Sequence, residues 1–249
     1  MKRQSIQSEY WDELAAYDPD SAVIDPKDTH GFKNAYIALI RDHAFRESFI
    51  RNSIKPGIIL DLGCGSGSAA ASILSRGYSL IGIDISFRLL LHAQSRCKKN
   101  RDSLFLLTDG KTLPLKPMRF DAAVIYVVLS YITDEDDVLN VLTQIRRALK
   151  PGAPLILIEQ AARKRKIKEK GRKVFRTINQ WQKLIEAAGF SSPSTTILRH
   201  GRFITTPLIR YGFLPRFTWY RLSRVERKVA ACTGVFHWDY AEIRFESIA

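Results

Sequence analysis

The chain has 249 residues, of which 45% are hydrophobic and 26% are charged. This composition suits one folded α/β domain and excludes a disordered or fibrous protein. The basic N-terminal residues precede no apolar segment, and the uncharged run 122–133 is too short to cross a bilayer. We therefore expect a cytoplasmic protein, with attachment to a membrane surface as the alternative location.

The formal net charge of +14 is concentrated in two segments. Residues 163–176 contain nine Lys or Arg and one Glu, and residues 199–228 contain eight Lys or Arg and one Glu. Because the rest of the chain is close to neutral, the charge predicts two local basic surfaces. We expect the first segment to be a mobile, solvated loop.

Three cysteines, Cys64, Cys97 and Cys232, are far apart in the sequence and show no metal-ligand spacing. They fit a reducing compartment, and we expect no metal site. The ordinary expectation for such cysteines is burial as small apolar side chains.

Short apolar runs alternate with helical patterns from residue 57 to residue 198. The predicted strands cover residues 57–62, 78–83, 103–107, 120–126, 155–160 and 195–198. The predicted helices cover residues 68–75, 86–98, 134–149 and 178–188. Strict alternation of strand and helix predicts right-handed crossovers and a mostly parallel sheet.

We expect residues 1–249 to form a single domain. Its predicted core covers residues 53–198, and other segments flank this core on both sides. Residues 1–52 are predicted to form a helical lid with several aromatic side chains. These are Tyr10, Trp11, Tyr17, Phe32 and Tyr36. Residues 199–239 form a basic insertion, and residues 240–249 contain a last strand whose alternation, YAEIRFESI, predicts an exposed or edge position. Ligands of open α/β sheets lie beyond the carboxyl ends of the strands, so the lid and the insertion are expected to contact substrate.

A glycine-rich turn, Gly63-Cys64-Gly65-Ser66-Gly67, follows the first predicted strand and precedes a helix. Glycine permits a tight turn, and the helix N-terminus supplies N–H donors. A dinucleotide site expects glycine where this chain has Ser68, and the carboxylate of Asp61 would lie badly beside a pyrophosphate. No lysine follows the turn, which excludes a Walker loop. The residues therefore favour a ligand that carries positive charge.

The turn resembles the first motif of the class I S-adenosylmethionine-dependent methyltransferases, of the small-molecule type. That motif, an acidic residue followed by G-x-G-x-G, is matched by Asp61, Gly63, Gly65 and Gly67. The stretches IGIDIS, LLTDGKTLPL, FDAAVIYVVLSYI and RRALKPGAPLILIE follow in the family's order and extend the resemblance from about residue 55 to residue 190. It implies a Rossmann-like, mostly parallel seven-stranded sheet with helices on both faces.

The resemblance also implies S-adenosylmethionine as the cofactor and a role for several residues around it. Asp84 would accept hydrogen bonds from the ribose hydroxyls, and Asp109, with Gly110 beside it, would accept from the adenine amino group. Asp61 would organise the turn and the amino end of the methionine, which the backbone at Tyr126 would also hold. The predicted cofactor-binding residues are Asp61, Gly63, Cys64, Gly65, Gly67, Asp84, Ile85, Asp109, Gly110 and Tyr126.

The reaction implied is metal-independent, in-line methyl transfer to oxygen or nitrogen. An oxygen nucleophile of high pKa would need a base. Our candidates for the catalytic residues are Glu159 at the end of the fifth strand, Tyr131, and His30 in the lid. Many relatives carry histidine where this chain has Ser130-Tyr131, so the family assigns no role at that position here.

The sequence leaves the methyl acceptor open. A small molecule or glycan bound between the lid and the insertion is our first expectation, and a phosphorylated or otherwise anionic acceptor would suit both basic segments. RNA is an alternative acceptor that the aromatic and basic residues of 199–228 suggest. A different alternative is that the protein binds the cofactor without catalysing a reaction. A lipid-linked acceptor would suit an amphipathic helix over 217–231, with Trp219, Leu222, Val225 and Val229 on one side. The ordinary expectation for that helix is that its apolar side packs on the domain.

Overall fold

The structure, a computed structural model, describes residues 6–16, 18–22, 24–234 and 240–249, so Tyr17 and the end of the insertion at 235–239 lie outside the described residues. The helices are α1 Ile6–Ala15, α2 Pro19–Ala22, α3 Phe32–Arg51, α4 Ser68–Leu74, α5 Phe87–Cys97, α6 Glu135–Ala148, α7 Ile178–Ala187, α8 Thr205–Arg210 and α9 Trp219–Thr233. The strands are β1 Ile58–Leu62, β2 Ser79–Asp84, β3 Ser103–Leu107, β4 Ala122–Tyr126, β5 Pro154–Ala161, β6 Lys166–Lys168, β7 Lys173–Phe175, β8 Ser194–His200 and β9 Ala241–Ile248. The elements predicted for the core are present, with ends within two residues of the prediction.

Seven strands form one sheet in the order β3-β2-β1-β4-β5-β9-β8. Strands β1 to β5 are parallel, and β9 is antiparallel to both of its neighbours. Helices α3, α4, α5 and α9 contribute to the apolar cluster on one face, and α6 and α7 contribute to the cluster on the other. The predicted Rossmann-like, mostly parallel seven-stranded fold is confirmed. The strand order reverses between β1 and β4, the point where open sheets bind ligands.

The prediction for the last strand was wrong in its position. Strand β9 lies between β5 and β8, and β8 is the edge strand. The polar residues that suggested exposure are buried in ion pairs: Glu242 meets Arg199 at 3.3 Å, and Arg244 meets Glu47 at 3.2 Å. The polar residues of this strand alternate with apolar ones because they form buried ion pairs. A sequence pattern alone does not distinguish buried ion pairs from exposure to solvent.

The basic segment 163–176 is not the loop that we predicted. It contains an antiparallel hairpin in which β6 pairs with β7. Arg176 is fully buried, and its guanidinium donates to the Glu135 carboxylate at 3.0 Å and to the Leu129 carbonyl at 3.1 Å. Arg176 therefore binds the loop after β4, while Arg163, Lys164, Arg165, Lys166 and Lys170 are exposed.

Two of the three cysteines are buried. Cys64 and Cys97 are buried as expected, but Cys232 is exposed, because it lies on the outward side of α9. In the described part of the chain, no helix is long and apolar enough to cross a membrane.

Candidate active site

A cavity opens at the carboxyl ends of β1, β2 and β4, where the topology places a ligand site. Nine of the ten predicted cofactor-binding residues line it: Asp61, Gly63, Cys64, Gly65, Asp84, Ile85, Asp109, Gly110 and Tyr126. Gly67 does not. A Cβ at that position would lie 2.8 Å from Cα of Ala93, so this glycine allows α4 to pack closely on α5. The structure thus gathers residues that are far apart in sequence around one cavity.

The glycine turn is fixed by backbone hydrogen bonds to β2. The Gly63 N–H donates to the Ile83 carbonyl at 2.7 Å, and the Gly65 N–H donates to Oδ2 of Asp84 at 2.8 Å. Gly63 has a φ of +70°, and a Cβ there would lie 2.2 Å from a methyl carbon of Val128. Glycine at this position is therefore required both by the left-handed backbone and by close packing.

Asp84 is buried, and backbone donors hold its carboxylate. Besides the Gly65 bond, its Oδ1 accepts from the Ser86 N–H at 2.9 Å. Burial raises the pKa of Asp84, and these backbone donors oppose that effect. Each carboxylate oxygen can accept a second hydrogen bond, so the side chain is oriented in the cavity without being saturated.

Asp61 is a second buried carboxylate on the cavity wall, and fewer hydrogen-bond donors stabilise its negative charge than that of Asp84. Its Oδ2 is buried and has no hydrogen-bond partner within the described residues. Burial raises the pKa of Asp61 to about 7, the guanidinium of Arg41 opposes this rise, and the Asp84 carboxylate adds to it. A buried carboxylate of this kind is stabilised by a cationic ligand. Asp61 therefore fits the ammonium of a methionine moiety.

Asp109 lines the cavity from the loop after β3. Its Oδ1 accepts from the N–H groups of Lys111 at 2.9 Å and Thr112 at 2.8 Å. Part of the carboxylate therefore shapes the loop itself.

The end of β4 brings strained backbone to the cavity. Tyr126 lines the wall, with the Arg41 guanidinium 5.5 Å from its ring centroid. The next residue, Val127, has a φ of +52°, which is uncommon for a β-branched side chain, and its N–H donates to the Ile158 carbonyl at 2.8 Å. Strain of this kind is often found where a backbone is fixed for ligand binding.

The three candidate catalytic residues are not brought together. Tyr131 lines the cavity, whereas Glu159 and His30 do not. His30 is exposed and stacks on Phe32, with 6.4 Å between the ring centroids. The structure therefore gives no support to His30 as a base.

Glu159 is fully buried beneath the loop after β4. Its Oε1 accepts from the Leu129 N–H at 2.6 Å and the Ser130 N–H at 3.3 Å, and its Oε2 accepts from Oγ of Ser130 at 2.5 Å. Burial raises its pKa, while the hydrogen bonds oppose the rise. This carboxylate holds the loop, which corrects the reading of Glu159 as a group that faces substrate.

We expect Glu159→Ala to lower the free energy of unfolding by about 2–5 kcal/mol, because it leaves buried backbone N–H groups without an acceptor. Glu159→Gln keeps a carbonyl acceptor and should retain most of the stability and the turnover. Thermal melting and kcat of both variants test this, with the exposed Glu186→Ala as a matched control. A Gln variant that melts like the wild type and has lost turnover would restore Glu159 as a base.

Several residues of the site could not be predicted from local patterns. Arg41 of α3 lines the cavity, is buried, and donates to Oγ of Ser68 at 3.0 Å. Trp11 and Gln7 of α1 also line it. The helical pattern of residues 1–52 predicted a lid, but it did not show which side chains point inward.

Lys173 reaches the cavity wall from the hairpin. Its Nζ donates to the Tyr131 hydroxyl oxygen at 3.0 Å and lies 4.5 Å from the centroid of that ring. Burial lowers the pKa of Lys173, and nearby carboxylates, first Glu169, oppose the decrease. Burial also raises the pKa of Tyr131, so this phenol is neutral at physiological pH.

The chain is similar to S-adenosylmethionine-dependent methyltransferases in its fold and, over part of its length, in its sequence. Residues 59–152 match the family model described as a methyltransferase domain. The chain is 31% identical over 130 residues to YqeM of Bacillus subtilis, a protein named as a methyltransferase, a match that covers 51% of this chain and 53% of that one. It is 34% identical over 101 residues to demethylmenaquinone methyltransferase of Tropheryma whipplei, covering 41% of each. The matched segment thus spans about half or less of these relatives.

A solved structure of a SAM-dependent methyltransferase from Leishmania major shows the same fold. Its TM-score to this chain is 0.68 at 14% identity, covering 97% of this chain and 80% of that one. At that level of identity the likeness extends to the fold alone.

Proposed function

We propose that this protein transfers the methyl group of S-adenosylmethionine to an oxygen or nitrogen atom of a small-molecule acceptor. The observation that carries the proposal is the buried Oδ2 of Asp61, which accepts no hydrogen bond from any residue that the structure describes, in a cavity that Asp84 and the glycine turn also line. The names of the two relatives support methyl transfer to a small molecule, because both are named as methyltransferases and one is named for a small-molecule acceptor.

The cofactor end of the site follows from the charges of Asp61 and Arg41. When bound, S-adenosylmethionine would supply a methyl carbon for in-line attack by the lone pair of the acceptor, with the C–S bond breaking and S-adenosylhomocysteine as the leaving group. The Asp61 carboxylate would accept from the ammonium, and the Arg41 guanidinium would donate to the carboxylate of the same amino-acid end. Asp84 would accept from the ribose hydroxyls, and the Asp109 loop would lie against the adenine. Together these groups would fix the orientation of the bound cofactor relative to the acceptor.

The acceptor end is the side of the cavity at α1 and the hairpin. The Trp11 ring meets the Tyr131 ring edge to face, with 4.9 Å between centroids, and Gln7 donates to the Tyr131 backbone carbonyl. Because the Tyr131 oxygen already accepts from Lys173, we assign its hydroxyl hydrogen to a bond with the acceptor. Tyr131 would then orient the acceptor as a neutral donor instead of removing a proton.

Binding and transfer can be measured separately. Isothermal titration with S-adenosylmethionine should give saturable binding to the purified protein, and transfer of a labelled methyl group should follow when an extract fraction supplies the acceptor. Label in a small-molecule fraction supports the proposal. Absence of heat and of thermal stabilisation at saturating cofactor would contradict it, and label recovered in RNA would identify the alternative acceptor. Lipid and glycan fractions distinguish the remaining classes.

We expect cofactor affinity to weaken as the pH falls below about 7, the pKa to which burial raises Asp61. An ammonium beside the carboxylate favours its ionised form, so binding lowers the pKa and releases a proton when the free protein is protonated. Affinity should fall by about tenfold per pH unit below the pKa and level off above it. Titration in buffers of different ionisation enthalpy measures the released proton directly. A flat profile would show that Asp61 does not meet a cation.

A further inference from the structure

The insertion between β8 and β9 exposes many large apolar side chains. We refer to residues 204–229 as the insertion face. Its exposed apolar residues are Ile204, Leu208, Tyr211, Phe213, Phe217, Tyr220, Val225 and Val229. Phe213 is 71% and Phe217 is 83% exposed. Soluble proteins seldom concentrate so much exposed apolar surface in one segment unless it binds something.

Helix α9 packs on the domain through a different side from the one predicted. Trp219, Ser223, Glu226 and Ala230 are its buried residues. Val225 and Val229, which the pattern placed with Trp219, are 55% and 41% exposed. Packing of α9 against the domain therefore accounts for Trp219 but not for Val225 and Val229.

The insertion face carries positive charge with no exposed acid. Arg216, Arg221, Arg224 and Lys228 are exposed. From 202 to 228 the sequence contains one acidic residue, Glu226, which is buried and accepts from the Tyr36 hydroxyl at 2.9 Å. Two copies of such a face would repel each other, so charge complementarity requires an anionic partner.

We propose that the insertion face docks on the surface of an anionic lipid membrane. Exposed Ile, Leu and Val side chains gain free energy at the boundary with acyl chains, while arginine and lysine attract anionic head groups. Single-stranded RNA would use the aromatic rings and cations but offers the aliphatic side chains no stacking partner. The aliphatic residues therefore favour the membrane.

The insertion face is fixed to the helix that reaches the cavity. The rings of Trp219 and Tyr36 lie 5.7 Å apart, and Arg227 pairs with Glu47 at 2.7 Å, so α9 is held against α3. Helix α3 also carries Arg41, which lines the cavity. Docking would therefore hold the cavity-lining helix at the bilayer surface. This inference rests on the surface and stands independently of the proposed methyl transfer.

Sedimentation of the full chain with vesicles tests the inference. We expect binding to vesicles that contain phosphatidylglycerol and little binding to pure phosphatidylcholine. Phe213→Ser with Phe217→Ser should weaken binding by about tenfold. Arg221→Gln, Arg224→Gln and Lys228→Gln together should weaken it by roughly 100-fold, because each cation near the surface contributes about fivefold.

The matched controls remove exposed residues elsewhere. Leu104→Ser with Met118→Ser removes exposed apolar side chains, and Lys98→Gln, Lys99→Gln and Lys116→Gln together remove cations. Both controls should bind vesicles like the wild type, and all variants should keep the wild-type melting temperature. Equal binding to neutral and anionic vesicles, or full binding by the Phe variant, would overturn the proposal. The proposal would also be overturned if a single-stranded RNA oligonucleotide bound more tightly and displaced the protein from vesicles. That result would assign the insertion face to nucleic acid.

Discussion

Asp61→Asn is expected to abolish most cofactor binding while making the cofactor-free protein more stable at neutral and alkaline pH. Removing one partner of a buried charge pair costs about 2–5 kcal/mol, so the cofactor Kd should rise by roughly 30-fold to several thousand-fold. Stability should change in the opposite direction. The pKa of Asp61 rises from 3.8 to about 7 on folding, so the folded state holds the proton more tightly. The free energy of unfolding therefore falls as the pH rises from about 4 to about 7, and the deficit persists above pH 7.

Asparagine removes this deficit because it cannot ionise. Each pKa unit corresponds to about 1.4 kcal/mol, so about three units set an upper limit of about 4 kcal/mol on the gain. A melting temperature higher by several degrees at alkaline pH, with little change in acid, is the expected result. The exposed Asp102→Asn serves as a control for loss of one negative charge. A melting temperature of Asp61→Asn below that of the wild type in alkaline buffer would contradict this prediction. It would show that the ionised carboxylate stabilises the folded protein through a partner of its own.

The ends of the parallel strands could be predicted from the sequence because the determining residues are contiguous there. Asp61 lies near the end of β1 and the glycine turn follows that strand directly, while Asp84 ends β2 and Asp109 follows β3. Parallel strands bring their carboxyl ends to one edge, so the order along the chain determined which side chains meet. Nine of the ten predicted cofactor-binding residues lie on the cavity wall for this reason.

The side of the cavity that we propose for the acceptor could not be predicted in the same way, because long-range packing determines it. Arg41 and Trp11 reach the cavity only because α3 and α1 dock against the sheet and its helices. Lys173 belongs to a run of charges that resembles a solvated loop, yet the run forms a hairpin whose Arg176 binds the loop after β4. Glu159 shows the converse error, since a carboxylate at a strand end turned inward to bind Ser130. Buried charge pairing has no periodicity that a sequence pattern reveals.

Tyr131→Phe is expected to lower kcat/KM for methyl transfer by about 10- to 100-fold while leaving the cofactor Kd unchanged. The phenol lines the cavity, accepts from Lys173 at 3.0 Å, and can donate its own hydrogen to the acceptor. Loss of one hydrogen bond in a site that contains a charged group costs about 1.5–3 kcal/mol. Lys173→Met should have a comparable effect through Tyr131, because the lysine orients the phenol without facing the acceptor itself.

The two changes should not be additive, which separates this account from two independent losses. If Lys173 acts by orienting the Tyr131 hydroxyl, then Lys173→Met in the Tyr131→Phe background should lower kcat/KM by much less than in the wild type. Steady-state kinetics at saturating cofactor measures this, with the exposed Lys164→Met as the matched control for charge in the same segment. Since the phenol is neutral, the ratio of variant to wild-type kcat should also not change with pH from weakly acidic to weakly alkaline conditions. A loss that appears only above a titration midpoint would instead make Tyr131 the base, and full additivity would give Lys173 a contact of its own with the acceptor.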